Sequence, residues 1–322
     1  MSNKQCQYVG PNGELCQHCT EINDFCYWHD KSKDKTEPDL VTRLEKRARS
    51  GEPMIGFCLR GANLKGIDLV NHNKKIGFKL CYADLYHCDL SEAHLFNIDL
   101  TGSSLMKARI NHTNLNCANL HQVNMLGLRL DDVNMDHIRW DDTVIQEIKA
   151  LKEKDKKVRL DLLEQAEEIY RSLRKATEAQ GLFESAGHFF KREMTMRRLQ
   201  MPKISSKRVL SKLVDLFCGY GEEPSRVVIF SLIIILTFSL VYFLLGISDG
   251  SNTIKFSTKL SLLDNLENII YATYFSVVTF TTLGYGDLVP MGFARLFAAI
   301  EAFLGSFTLA LFVVVFVKKM TR

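Results

Sequence analysis

Across 322 residues the chain has almost no net charge, a formal +4 from 41 basic and 37 acidic side chains. That argues against nucleic acid as a partner. Nor is there a paired-cysteine framework. The nine cysteines are an odd number, four of them stand in the first twenty-six residues, and most of the others are scattered singly. Secreted disulfide scaffolds are not built this way, so a reduced, cytosolic setting is expected. No apolar core lies between Met1 and Asp30, so no signal peptide is expected. Long apolar runs are also missing from the first two hundred residues, and the last hundred carry them. The near-zero mean hydropathy hides this split. A chain of this length is expected to hold two or three domains.

What the first thirty residues do have is Cys6, Cys16, Cys26 and His29, spaced C-x9-C-x9-C-x2-H. Three thiolates and an imidazole are a closed tetrahedral set for structural Zn2+. A segment this short cannot bury a core, so the metal would supply its folding energy. His18 and Cys19 offer an alternative ligand pair with Cys16. The pattern is similar to small bacterial and plant Cys3His modules, and residues 1–30 are assigned to one. Residues 31–54 are a charged linker leading into a short helix.

Residues 55–141 carry an internal period of five. Leu80, Leu85, Leu90, Leu95, Leu100, Leu105, Ile110, Leu115, Leu120, Met125, Leu130, Met135 and Trp140 recur at every fifth position. Two residues before most centres stands a small or aliphatic side chain, such as Ala83, Cys88 or Ala118, and Asp or Asn often lies between. This period is neither helical nor a strand alternation. It resembles the A-(D/N)-L-x-x pattern of pentapeptide-repeat proteins. The resemblance implies a right-handed, four-sided β-helix with the centre and the residue two before it inside. Such a coil buries its centre only by stacking on its neighbours. About four coils follow from the count. Leu59, Leu64 and Leu69 keep the period but stand one residue out of phase with Leu80, so a one-residue insertion is expected within residues 72–79. Some members of that family mimic DNA and bind gyrase, which needs an acidic face. Here residues 59–140 balance nine basic against eight acidic side chains, which disfavours mimicry. His87, His94, His112, His121 and His137 fall at non-central positions, and no catalytic constellation is visible, so no enzyme activity is expected. A rigid spacer or a docking surface for a cytoplasmic partner or ligand is the expectation.

From Asp142 the spacing becomes helical. Leu160, Leu163, Ala166, Ile169, Tyr170 and Leu173 form one stripe, and Gly181 separates it from a second helix ending near Pro202. Residues 142–204 are therefore expected to form a cytoplasmic helical hairpin. Residues 205–225 contain an amphipathic segment with Lys207, Arg208 and Lys212 on its polar side. It either lies at a membrane interface or packs on cytosolic helices.

Residues 227–246 are twenty consecutive uncharged residues, and residues 293–317 are a second apolar run interrupted only by Arg295 and Glu301. Each is long enough to span a bilayer. Basic residues gather before the first run and after the second (Lys318, Lys319, Arg322), which puts both termini in the cytoplasm. Between the runs, Ser261 and Asp264 can start a helix over about 266–279, too short to span. It ends at Thr281-Thr282-Leu283-Gly284-Tyr285-Gly286-Asp287. Glycines at alternate positions tolerate the dihedrals that aim a row of carbonyls at one line.

This stretch resembles the signature of the potassium channel pore family, with Leu283 where many members carry Val. The resemblance implies a homotetramer in the cell inner membrane, a re-entrant pore helix, and a K+ filter at Thr282, Leu283, Gly284, Tyr285 and Gly286. Asp287 would brace the filter through a pore-helix residue such as Tyr274. Gly305, ten residues after Arg295, matches the family's inner-helix hinge or else allows close helix packing. Glu301 would pair with Arg295, carry a proton, or face a pore-helix hydroxyl. Val278 stands where some members carry an ionisable residue, which puts gating through such a group in doubt. No voltage sensor is expected before residue 227, and no ligand-binding domain is expected after the inner helix.

The fold class expected is thus a multidomain membrane protein: a β-helix, an α-helical linker and an all-α two-span pore over residues 226–322. The function expected is passive, selective K+ transport gated by the cytoplasmic repeat. The alternatives are a poorly selective cation channel or a membrane-anchored pentapeptide-repeat scaffold.

Overall fold

In the computed structural model, residues 4–11, 13–20 and 24–321 are described. Residues 1–3, 12 and 21–23 of the expected zinc module, and the cation Arg322, lie outside the described residues. The chain divides into two units, residues 1–203 and 204–322.

The first unit is organised by the repeat. Lys79 pairs in parallel with Asp99, Asp99 with Asn119 and Asn119 with Arg139, a step of twenty residues, or four pentads, per coil. Most pentads turn through a left-handed residue two places after the centre. His87, Asn97 and Cys117, for example, have φ of 60°, 59° and 62°. Such backbone is costly for non-glycine residues. The Asp or Asn before the centre helps: the Asp84 carboxylate accepts the Tyr86 amide at 3.2 Å, and that of Asp99 accepts the Thr101 amide at 3.1 Å. These Asx turns give the polar member of the motif its role. Most centres and the residues two before them are buried, Leu85 and Ala108 completely, while Phe78, Leu130, Ile138 and Trp140 near the ends are half-buried. Ser103 and Thr113 are polar at such inward places. Their hydroxyls donate to the carbonyls of Leu80 and Leu90 at 2.9 and 2.7 Å, so neither is left unsatisfied.

The insertion is larger than one residue. Cys58 pairs with Asp84, Asn63 with Asp89 and Asp68 with His94, a step of twenty-six. The phase shift visible in the sequence is only the remainder after a whole extra pentad.

Both ends of the coil stack are covered. At the start, α1 (Leu40–Ser50) buries Leu40, Leu44 and Ala48 against it. The Glu45 carboxylate accepts the Asp68 amide at 2.9 Å, and the Trp28 carbonyl accepts that of Cys58 at 2.7 Å. At the far end lie three helices, α2 (Ile145–Lys152), α3 (Lys156–Ala179) and α4 (Phe183–Gln200). Asp155 caps α3, its carboxylate accepting the amides of Lys157 and Val158. Helices α3 and α4 run antiparallel, since Glu193 meets Arg171 and Arg174 while Gln200 reaches Glu167. Gln180 closes the last coil by binding the Val133 carbonyl and the Met135 amide.

The second unit begins with α5 (Ser206–Cys218) and continues with α6 (Pro224–Leu245), α7 (Leu262–Phe280) and α8 (Ala294–Met320). Pro224 suits the first turn of α6, where its missing N–H has no partner to lose. Helix α7 starts four residues before the expected 266, because the Ser261 hydroxyl and the Asp264 carboxylate cap each other's amides at 3.2 Å. Helices α6 and α8 are long and apolar enough to cross a membrane. Three two-residue strands, β3 (Ile247–Ser248), β4 (Thr253–Ile254) and β5 (Val289–Pro290), pair antiparallel in the order β4-β3-β5. Within the unit, Val209, Leu210, Leu213 and Leu216 of α5 are exposed.

Candidate pore site and metal centre

Residues 281–287 hang from the C-terminal end of α7. The Thr281 amide bonds to the Val277 carbonyl, that of Thr282 to Thr279, and that of Leu283 to Val278, at 2.9–3.0 Å. Thr282, Gly284 and Gly286 have φ of 59°, 57° and 81°. This alternation of left-handed residues is what lets neighbouring carbonyls face one side rather than opposite sides. A Cβ on Gly284 or Gly286 would meet nothing within 4 Å, so the dihedral, not space, demands glycine there. Thr282 adopts the same region without being glycine, a strain typical of functional backbone. Leu283 and Tyr285 are 58% and 66% exposed in a single chain.

The Tyr274 hydroxyl donates to Asp287 Oδ2 at 2.8 Å, linking the helix to the residue after the glycines. Beyond it, β5 pairs with β3, so the stretch is tied at its outer end to the C-terminal end of α6. Two-residue strands have no readable period, and sequence reasoning missed them.

Glu301 is fully buried in α8. Its partner is not Arg295, whose guanidinium donates instead to the Pro290 carbonyl at 3.2 Å. Six residues along a helix turn the two side chains away from each other. Glu301 instead meets the Ser276 hydroxyl of α7 and the Tyr242 hydroxyl of α6, the latter at 2.6 Å. Gly305 lies one turn further along the same face, and a Cβ there would collide with the Phe280 carbonyl at the end of α7. This contact supports close packing, rather than a hinge, as the reason for a glycine.

The residues matched by the ion channel family model are 230–322. The chain carries an ion channel domain. A second family model, for pentapeptide repeats, matches eight copies over residues 83–122 of this channel-bearing chain. Solved structures similar to its repeat include a pentapeptide repeat protein of the Arabidopsis thaliana thylakoid lumen, 20% identical over 26% of this chain and 51% of that one, with a TM-score of 0.18. Another, involved in heterocyst differentiation regulation in the cyanobacterium Nostoc, is 24% identical over 26% of this chain and 52% of that one, with a TM-score of 0.14. The chain spans about half the length of these two proteins. No curated protein matches it.

In the N-terminal module, Cys6, Cys16, Cys26 and His29 bring their ligand atoms within 4.8 Å of one another. His18 and Cys19 are not part of this set. His18 faces Glu52 at 3.4 Å, and Cys19 is exposed on β2 (Cys19–Thr20), opposite Gln5 of β1 (Lys4–Gln5). The donor spacing fits Zn2+. Zn–S bonds of about 2.3 Å at tetrahedral angles put sulfurs about 3.8 Å apart. Cys16 and Cys26 Sγ are 3.8 Å apart, and His29 Nδ1 lies 3.5 and 3.2 Å from Cys6 and Cys26 Sγ. His29 Nε2 is 2.9 Å from the Ile55 carbonyl, to which it would donate, leaving the Nδ1 lone pair facing the sulfurs. Burial pushes the Cys16 thiol up to about 12 and holds His29 below its ordinary value. A cation among the sulfurs would draw the thiolates out.

Proposed function

We propose that the protein is a potassium-selective channel that conducts passively as a homotetramer. The observation that carries this is the left-handed alternation at Thr282, Gly284 and Gly286, between two helices of membrane length. Carbonyls from four such stretches would replace the hydration shell of K+. Non-helical backbone at membrane depth is tolerated only inside protein or along water, and a central position among four subunits meets that condition. It would also cover Leu283 and Tyr285. Helix α7 would then re-enter from outside, with its C-terminal dipole end towards the cation. In this reading α6 and α8 span the inner membrane, both termini are cytoplasmic, and the repeat gates the pore or docks a partner. Structural Zn2+ on Cys6, Cys16, Cys26 and His29 would hold the N-terminal module.

The test is flux from purified protein in liposomes carrying K+ or Na+ gradients. K+ flux at least tenfold above Na+ is the expected outcome. Equal fluxes would make it a poorly selective cation channel, and a cellular effect that survives a dead filter would make it a scaffold.

A further inference from the structure

Three helices meet at one buried hydroxyl cluster, and its protons can be counted. Ser276 has a single hydroxyl proton but two oxygen neighbours, the Ile235 carbonyl at 2.9 Å and Glu301 Oε1. The phenol of Tyr242 supplies one proton to Glu301 Oε2. Every group is satisfied in one arrangement: Ser276 donates to Ile235, a neutral Glu301 donates to Ser276, and Tyr242 donates to Glu301. An ionised Glu301 would compete with the Ile235 carbonyl for one proton, and among the described residues its side-chain partners are the two hydroxyls of Ser276 and Tyr242. Arg295 is engaged with Pro290.

The location of this cluster gives it a role. Ser276 immediately precedes Val277, Val278 and Thr279, whose carbonyls hold the amides of Thr281, Leu283 and Thr282. Immediately after them comes Phe280, whose carbonyl presses on Gly305. Helix α8 therefore grips α7 at two points, Glu301 and Gly305, that bracket the turn from which residues 281–283 hang. We propose that Glu301 is a positioning residue for the filter, acting as a neutral hydrogen-bonding clamp between α8, α7 and α6 and not as a site that ions occupy. The proposal rests on the filter reading given above, and it explains why a carboxyl costly to bury stands in an apolar helix.

The clamp makes a discriminating prediction about substitutions. In Glu301→Gln the amide NH2 can donate to Ser276 while the carbonyl accepts from Tyr242. This variant should match the wild type. Glu301→Ala and the milder Ser276→Ala each remove two buried hydrogen bonds, and each should lower K+-over-Na+ selectivity by at least about tenfold. All three are compared as full-length tetramers, verified by size-exclusion chromatography before reconstitution. Amide hydrogen exchange at residues 281–283 is read in parallel. Faster exchange in Glu301→Ala and Ser276→Ala, with wild-type exchange in Glu301→Gln, is the expected pattern. A Gln variant as damaged as the Ala variant would overturn the clamp in favour of a charged role. Unchanged exchange and selectivity in both Ala variants would also overturn it. Wild-type protein that fails to distinguish K+ from Na+ would defeat the filter reading alone, because the exchange measurement still decides Glu301.

Discussion

Gly284 and Gly286 stand in open space yet cannot be replaced freely. A left-handed residue with a Cβ costs about 1–2 kcal/mol, and a tetramer incurs that cost in each subunit. Gly284→Ala is therefore expected to abolish selective K+ flux while leaving the oligomer intact by native mass measurement. Gly305 is the opposite case: its φ is ordinary and the space is what matters. Gly305→Ala should drive α8 off the Phe280 carbonyl and lower the thermal unfolding midpoint. A hinge would instead leave that midpoint unchanged and alter only opening. These residues differ in how readable they were. The glycines of residues 281–287 announce themselves by alternation within seven residues. Glu301 announces only that it is unusual, because its partners Tyr242 and Ser276 lie 59 and 25 residues away. Pairing it with Arg295 was the near choice along the chain, and helix geometry ruled it out.

At the scale of elements, the repeat and the N-terminal module can be tested separately. Leu100 is 1% exposed at a coil centre, so Leu100→Ala should cost about 2–5 kcal/mol of unfolding free energy in denaturant titrations. His94→Ala on the outer face should stay within about 0.5 kcal/mol. Thiol chemistry should divide in the same way. Burial pushes the Cys88 thiol up to about 12, so it should resist alkylation at pH 8, whereas the exposed Cys19 reacts. The N-terminal module contacts the first coil through Trp28, which stacks on Phe57 with ring centroids 4.9 Å apart. Zn2+ analysis should give one ion per chain. Chelation should release it, change tryptophan fluorescence, and speed amide exchange at residues 56–69. Acidification should have the same effect, because ligand protonation opposes metal binding. The five-residue period made the coil legible, since burial alternates with it at every turn. The long first coil was not, because a phase shift records only a remainder modulo five. The β3-β4-β5 sheet left no trace either, being held by pairing rather than by pattern.

At the scale of the molecule, the expectation is four copies of a 36.8 kDa chain, checked by native mass spectrometry in detergent. Topology is testable in whole cells. Cys19 should be shielded from a membrane-impermeant maleimide until the cells are opened, while Ser251→Cys, in the loop between α6 and α7, should label at once. Reversed labelling would invert the membrane orientation. The step of twenty residues has one more consequence. Because each coil after the long first one repeats the backbone of the one before, that part of the rod can change length only in whole graduations of about 4.8 Å. Removing residues 99–118 would take out one graduation and rejoin equivalent positions. Removing a single pentad would instead turn everything beyond it, the Gln180 closure with Val133 and Met135 included, by a quarter circuit relative to α1 and the first coil. The stack is a ruler with fixed marks, and circular dichroism of the two deletions would show which of them still folds.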